Sequence, residues 1–245
     1  MARQSLDTAT REETKMTESV KNNLQSVRNR IAAAARRVGR SPDEVTLVGI
    51  SKVQPIEKVQ AAVDAGLMQL GENRVQEAAG KIPHIAGDVH WRLVGHLQRN
   101  KAKKAVELFE MIESIDSERI AQEVSRRCVN LGKNMDILIE VNVGAEDAKA
   151  GVAPSQLTGL ARLCASLQGI TLKGIMVIPP FDPDPEKSRP YFREARRMFE
   201  ELRDAKIDGA DICHLSMGMS NDFEVAVEEG ATIVRVGTAI FGPRV

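Results

Sequence analysis

The segment V-T-L-V-G-I-S-K at residues 45–52 joins a short apolar run to a lysine that follows it directly. An apolar run of this length is typical of a buried β-strand, which predicts that Lys52 stands at the carboxyl end of a strand. A partly desolvated lysine loses its proton more readily and can attack an aldehyde. Lys52 is therefore the first candidate functional residue.

Working outward, seven further apolar runs follow, with helix-like stretches between them. They lie at residues 67–70, 89–94, 111–113, 135–141, 171–177, 211–215 and 233–236. Eight short strands alternating with helices in a chain of 245 residues predict an α/β fold, a (β/α)8 TIM barrel. A doubly wound open sheet is the alternative, but no G-x-G-x-x-G follows the first strand to support it.

The amino terminus has a different composition from the rest of the chain. Residues 1–16 are charged and threonine-rich without an apolar period, which predicts a flexible N-terminal tail. The first helix is predicted from about Thr17 to Val38. Its apolar positions at helical spacing are Val20, Leu24, Val27, Ile31, Ala34 and Ala35. Residues 17–245 are predicted to form one barrel domain.

Composition excludes several classes of protein. Lysine plus arginine and aspartate plus glutamate each number 34, so no net charge would draw the chain to nucleic acid or to an anionic membrane. Three widely spaced cysteines indicate neither a disulfide framework nor a zinc ribbon. No secretion signal or membrane-spanning run is evident, which predicts a cytoplasmic protein.

The carboxyl-terminal part of the sequence suggests an anion site. Barrels often bind phosphate with the loops that follow the seventh and eighth strands. Here those loops contain S-M-G-M-S-N-D at residues 216–222 and G-T at residues 237–238, and their glycines allow close backbone approach. We therefore expect Ser216, Ser220, Gly237 and Thr238 to contact a phosphorylated ligand, with Met217 and Met219 as apolar lining.

Two further groups of residues have open interpretations. Arg235 lies two residues before Gly237, so period-two alternation directs its side chain into the barrel, either toward a carboxylate such as Glu72 or Asp211 or toward the ligand. His90, Trp91 and His96 lack the spacing of zinc ligands, which favours packing or hydrogen bonding. Asn73, after the second strand, is a candidate ligand contact or a turn residue.

Five motifs in order resemble one family over nearly the whole chain. They are S-K at residues 51–52, G-E-N-x-V-Q-E at 71–77, G-x-L-Q-x-N-K at 95–101 after His90 and Trp91, S-M-G-M-S-x-D at 216–222, and V-R-x-G-T-x-I-F-G at 234–242. Together they resemble the pyridoxal phosphate homeostasis protein family, which is related to the N-terminal domain of alanine racemase.

The resemblance implies a single-domain barrel of the alanine racemase N-terminal type that holds pyridoxal 5′-phosphate (PLP), the vitamin B6 coenzyme, as a Schiff base on Lys52. It implies phosphate contacts from Ser216, Ser220, Gly237 and Thr238, with Met217 nearby. Arg235 would face the pyridine nitrogen and Asn73 the ring. Two positions depart from the family pattern: Gln54 replaces a second lysine, and Arg74 replaces a tyrosine.

The resemblance favours a carrier that stores, buffers or delivers PLP with little or no turnover. Alanine racemases add a β-rich domain and a catalytic tyrosine, whereas this chain is expected to end just past the barrel and its single tyrosine, Tyr191, falls in no site motif. A PLP-dependent racemase or related enzyme is the alternative, and a phosphate-binding barrel without pyridoxal is a third. A monomer that serves PLP-dependent apoenzymes is expected.

Overall fold

The described part of this computed structural model, residues 2–144 and 150–243 with side chains from Thr14 onward, contains eight parallel strands in a closed barrel. Each strand pairs with the next along the chain, and β1 pairs with β8 to close the ring. The strands are β1 Thr46–Ile50, β2 Gln69–Glu72, β3 His90–Leu93, β4 Met111–Ile115, β5 Met135–Val141, β6 Ile170–Val177, β7 Ala210–Ser216 and β8 Ile233–Val236.

Helices cover the outside of this barrel. Within the described ranges they are α1 Ala2–Arg37, α2 Ile56–Asp64, α3 Val75–Lys81, α4 Ala102–Leu108, α5 Glu118–Leu131, α6 Leu157–Ser166, α7 Arg189–Asp204, α8 Phe223–Glu228 and α9 Thr238–Phe241. None of these helices has both the length and the hydropathy that crossing a bilayer requires.

The predicted TIM barrel is confirmed, and every predicted strand is present with ends that shift by a few residues. The strands were recognisable because a parallel barrel covers both of their faces, so their sequences are nearly continuous apolar runs. β4 shows this most clearly, since all five of its residues are buried. Its glutamate, Glu113, is one of the few charged residues inside the barrel.

The start of the first helix was predicted wrongly. α1 begins at Ala2 rather than near Thr17, because residues 2–16 contain neither glycine nor proline to stop helix propagation. The predicted buried face is correct, and its first member is Val20. The tail's side chains through residue 13 lie outside the described residues, and the flexibility expected of residues 1–16 stays a prediction.

Two apolar layers hold the fold together. The larger fills the space between barrel and helices, and the stripe of α1 belongs to it. The smaller draws Val48, Val94, Leu138, Met176 and Ile233 from strands all around the ring, so it lies inside the barrel. This interior plug supports the carboxyl ends of the strands, where barrel enzymes carry their sites.

Candidate functional site

A cavity of about 420 Å³ opens at the carboxyl ends of the strands. It receives residues from the segments after β1, β2, β3, β6, β7 and β8, which lie far apart in sequence. Its polar and charged lining consists of Lys52, Gln54, Asn73, Ser220, Asn221, Asp222, Arg235 and Thr238, and its apolar or backbone lining of Ile50, Val94, Ile178, Pro179, Pro180, Phe181, Met219 and Gly237.

Lys52 lies in a tight turn, residues 51–54, that we call the lysine turn. The Gln54 N–H donates to the Ser51 carbonyl at 3.0 Å and closes it. The third residue, Val53, has a φ of +60°, a conformation that turns usually assign to glycine or asparagine. A β-branched residue there is strained, so neighbouring contacts must hold the turn in place.

Asn73 approaches the cavity directly after β2. Its backbone packs so closely on Gly95 that a Cβ at residue 95 would overlap it. Gln54, which replaces the second lysine of the family pattern, is 8% exposed and also lines the cavity. Arg74, the second departure, keeps a 77% exposed side chain outside the cavity.

The neighbouring part of the cavity contains an anion loop, residues 216–222, and the start of α9, which follows β8, the strand that pairs with β1. The Ser220 hydroxyl oxygen accepts from the N–H groups of Gly237 and Ala239, both at 3.2 Å. Asp222 fixes the loop, because its carboxylate accepts from the Met219 N–H at 2.7 Å and from the Ser188 hydroxyl at 2.9 Å. Hydroxyl and amide groups of this kind suit a phosphate.

Arg235, in β8, also lines the cavity and is only 4% exposed. Its guanidinium donates to the Ser216 hydroxyl at 2.6 Å and to the Val177 carbonyl at 2.9 Å. Ser216 in turn donates to Glu113 at 2.6 Å. Neither carboxylate proposed from the sequence is its partner: Glu72 pairs with Lys81 and Asp211 pairs with Lys173.

Burial dominates the electrostatics beneath the cavity. It lowers the pKa of Arg235, against the opposing effect of Glu113, Glu140 and Asp222. Burial also raises the pKa of Glu140 to about 7, although the nearby positive charge of Arg235 opposes that rise. The confined guanidinium of Arg235 therefore has near it a buried carboxyl group, Glu140, that lies outside the cavity lining and has a pKa of about 7.

Six of the eight predicted site residues line the cavity, namely Lys52, Asn73, Ser220, Arg235, Gly237 and Thr238. The other two lie behind it. Ser216 is fully buried and its hydroxyl is engaged by Glu113 and Arg235, so it supports the arginine instead of facing the cavity. Met217 follows Ser216, so alternation turns it outward into the helix-facing core, and Met219 lines the cavity instead.

The sequence reading missed the contributions of Glu113, Asp222 and residues 178–181. The signal for Glu113 was a single carboxylate within an otherwise apolar strand, where a charge needs a partner. Pro179, Pro180 and Phe181 line the cavity mouth. The 78% exposed ring of Phe181 stands at that opening.

The histidines of β3 and the segment after it form hydrogen bonds with carboxylates. His90 contacts Glu110 at 2.7 Å and His96 contacts Asp116 at 2.8 Å. Across the described ranges, no three side chains of histidine, cysteine, aspartate or glutamate converge in a way that would hold a metal. Both histidines therefore have a structural explanation in hydrogen bonding.

Comparison with known proteins shows to which family this chain belongs. The profile described as the alanine racemase N-terminal domain matches residues 19–245. The pyridoxal phosphate homeostasis protein of Aquifex aeolicus is 42% identical over 222 residues, covering 90% of this chain and 96% of its own. The protein of the same name from Escherichia coli K12 is 39% identical over 229 residues, covering 92% and 97%.

A solved relative agrees with the sequence matches. The structure of PipY from Synechococcus elongatus with PLP bound superposes with a TM-score of 0.79 at 34% identity, covering 91% of this chain and 100% of that one. Fold, motif order and full-length similarity thus coincide. The chain belongs to the pyridoxal phosphate homeostasis protein family and carries the alanine racemase N-terminal domain.

Proposed function

We propose that this protein binds PLP and serves intracellular PLP homeostasis by storing, buffering or delivering the coenzyme. One observation supports this most strongly: Lys52 lines the same cavity as Ser220, Gly237, Thr238 and Arg235. An amine and an anion site in one cavity match the aldehyde and phosphate of PLP. Relatives that share the fold carry the homeostasis name, and PipY was solved with PLP.

The chemistry of the lining fits this coenzyme. When bound, PLP supplies an aldehyde that an amine can capture and a ring that can withdraw electrons from an attached group. Lys52 is the amine that would hold the aldehyde carbon, through a C=N bond formed with loss of one water. Ser220, Gly237 and Thr238 would hold the phosphate. Asn73 and the apolar side chains at the mouth would border the ring.

Arg235 is assigned to the pyridine nitrogen. A guanidinium there disfavours a protonated ring by like-charge repulsion, which weakens the ring as an electron sink. Ser216 and Glu113 would keep the guanidinium in place, since they form its buried hydrogen-bond chain. In this proposal Ser216 and Met217 do not contact the coenzyme, in contrast to the expectation from sequence.

We favour a carrier over an enzyme because the cavity offers few groups for proton transfer. Among the described lining residues, those that ionise are Lys52, Asp222 and Arg235, and both carboxylate oxygens of Asp222 already accept hydrogen bonds. Tyr191 lies in α7 and is not part of the lining. A PLP-dependent racemase remains the alternative on the strength of the shared fold.

Several finer features are also proposals. Transfer of PLP to apoenzymes that need it, a monomeric state and a cytoplasmic location stay predictions, as do a flexible segment at residues 1–16 and a single functional domain over residues 17–245. Size-exclusion chromatography with light scattering would test the monomer. Transfer of PLP to an apoenzyme, measured as recovered enzyme activity, would test delivery.

The decisive experiment is to incubate the purified protein with PLP, reduce it with borohydride and locate the adduct by peptide mass spectrometry. We expect a visible absorbance band and an adduct on Lys52, and we expect both to disappear in Lys52→Ala. A wild-type protein that stays colourless and unmodified would refute the proposal. Incubating the loaded protein with L-amino acids and assaying D-enantiomers or decarboxylated products separates the carrier from an enzyme.

A further inference from the structure

The lysine turn is strained, and side chains from a neighbouring segment surround it. Val53 is 62% exposed at φ +60°, so its own packing does not explain its conformation. Strain of this kind persists only where surrounding contacts determine the backbone. Those contacts come from the end of β2 and from α3.

The first contact lies before Lys52 in sequence. The ammonium group of Lys81 donates to the Ser51 carbonyl at 2.5 Å and to Glu72 at 2.6 Å. The Ser51 hydroxyl donates to the same Glu72 oxygen at 2.7 Å. Glu72 is fully buried and Lys81 is 12% exposed, so this ion pair is shielded from water. Shielded charges of this kind hold their partners more firmly than surface pairs do.

The second contact lies just after Lys52. The Val53 N–H donates to the Glu77 carboxylate at 3.2 Å. Glu77 and Lys81 are four residues apart on α3, so they project from one face of that helix. Side chains of α3 therefore form hydrogen bonds with the backbone on both sides of Lys52. Neither Glu77 nor Lys81 lines the cavity.

We propose that Glu77 and Lys81, with Glu72 beneath them, are positioning residues that set the direction of the Lys52 side chain through the strained turn. The inference rests on the proposed function, because the direction of the Lys52 amine matters only if that amine binds the aldehyde of PLP. Attack on an aldehyde needs the nitrogen in one orientation, and small displacements slow such reactions strongly. The buried pair and the Glu77 contact provide that constraint while the phosphate is held elsewhere.

The test measures how fast Lys52 is modified. Purified variants are mixed with PLP, and samples are quenched with borohydride over time to follow the adduct by mass spectrometry. We expect Glu77→Ala to slow adduct formation about fivefold and Lys81→Met about tenfold, from loss of orientation. Glu77→Gln keeps an oxygen that accepts from the Val53 N–H, so it should restore a rate within about twofold of wild type.

A second pair of variants separates positioning from stability. Val53→Gly relieves the positive φ and should slow the adduct about threefold without lowering the melting temperature. Lys206→Gly is the matched control, because Lys206 also has a positive φ, +44°, but lies after α7, away from the cavity. Its adduct rate should equal that of wild type.

Pyridoxine 5′-phosphate, which has the phosphate and ring but no aldehyde, completes the design. We expect its affinity to be unchanged in all of these variants, since the anion loop is untouched. The inference is overturned if Glu77→Ala, Lys81→Met and Val53→Gly form the adduct at the wild-type rate, or if affinity for pyridoxine 5′-phosphate falls as much as the rate. Absence of an adduct in the wild type would instead refute the proposed function itself.

Discussion

The two sides of the cavity use different means to hold their shape. On one side, the lysine turn contains no glycine, places Val53 at a positive φ and is gripped by charged side chains of β2 and α3. On the other, the anion loop turns at Gly218, whose φ is +88°. The Met219 N–H donates to Asp222, and the Gly237 N–H donates to Ser220. Side chains bond to backbone groups in both regions, but only the anion loop has a glycine at its positive φ.

The difference follows from what each side must bind. An amine that forms one bond needs a single direction, which ionic contacts and a strained turn can impose. An anion with several oxygens needs many donors at close range, which glycines and exposed amides provide. The anion side should therefore tolerate added side-chain atoms badly, and the lysine side should tolerate them better but respond to lost charges.

The largest expected effect is that of Gly218→Ala. The new Cβ would overlap the side chain of Ala226 and would force alanine into a left-handed conformation. Added strain and overpacking should lower the free energy of unfolding by about 3 to 5 kcal/mol. Urea unfolding measures this, with Gly159→Ala in α6 as the control because its Cβ meets open space. Equal stability of the two variants would contradict a tightly packed anion loop.

The next effect concerns Glu140, a buried residue of β5 whose carboxyl group interacts with the charge of Arg235. Its pKa is about 7 in the folded protein and lower when unfolded, so the folded state binds the extra proton between about pH 4.5 and 7. As the pH rises through this window, the free energy of unfolding of the wild type should therefore fall by about 2 to 3 kcal/mol relative to that of Glu140→Gln. Above pH 7 the difference should level off.

Urea unfolding at pH 5, 6, 7 and 8 measures this difference. Glu57→Gln on α2 is the control, because Glu57 is exposed and its replacement should leave the pH dependence of wild type unchanged. Parallel pH curves for wild type and Glu140→Gln would show that Glu140 is not held in a desolvated environment.

Ser216→Ala should have a smaller effect, because it interrupts the buried hydrogen-bond chain from Arg235 to Glu113. It leaves a guanidinium N–H of Arg235 and an oxygen of Glu113 without the hydrogen bonds they now make to the hydroxyl. Unsatisfied buried groups of this kind should cost about 2 kcal/mol of unfolding free energy. Ser166→Ala, an exposed hydroxyl on α6, should change stability by no more than about 0.5 kcal/mol. A Ser216→Ala protein as stable as this control would argue against the buried chain.

The smallest expected effect is that of Thr238→Val, which keeps the shape of the side chain and removes one hydroxyl at the cavity. We expect PLP to be retained about tenfold less tightly, as is typical for loss of a hydrogen bond to a charged group. Dialysis followed by absorbance measures retention, and Thr158→Val on α6 is the control. Unchanged retention would remove Thr238 from the proposed phosphate contacts.

Much of the barrel was predictable because burial on both faces leaves a simple pattern in each strand. The 233–236 run, for example, became β8 with the same bounds. The helix start was not predictable from apolar period, since residues 2–16 form helix although their sequence has no sustained run of apolar residues at helical spacing. A helix can continue wherever no helix-breaking residue stops it, whereas the spacing of apolar residues shows only which part of a helix packs against the core.

Within the candidate site, Lys52, Gly237 and Thr238 were accessible to sequence reasoning because they follow strands, and the ends of parallel strands meet on one rim. The roles of Ser216, Glu72, Glu77 and Lys81 were not. Side-chain alternation along β7 places Ser216 inside the barrel. Whether the Ser216 hydroxyl contacts the ligand or Arg235 depends on how far below the cavity Ser216 lies. The contact between α3 and the lysine turn depends on how two separate βα units pack. Local sequence patterns thus determined the fold and which residues lie at the carboxyl ends of the strands. The partner of each residue depends on distances between segments that are far apart in sequence, and only the closed barrel sets those distances.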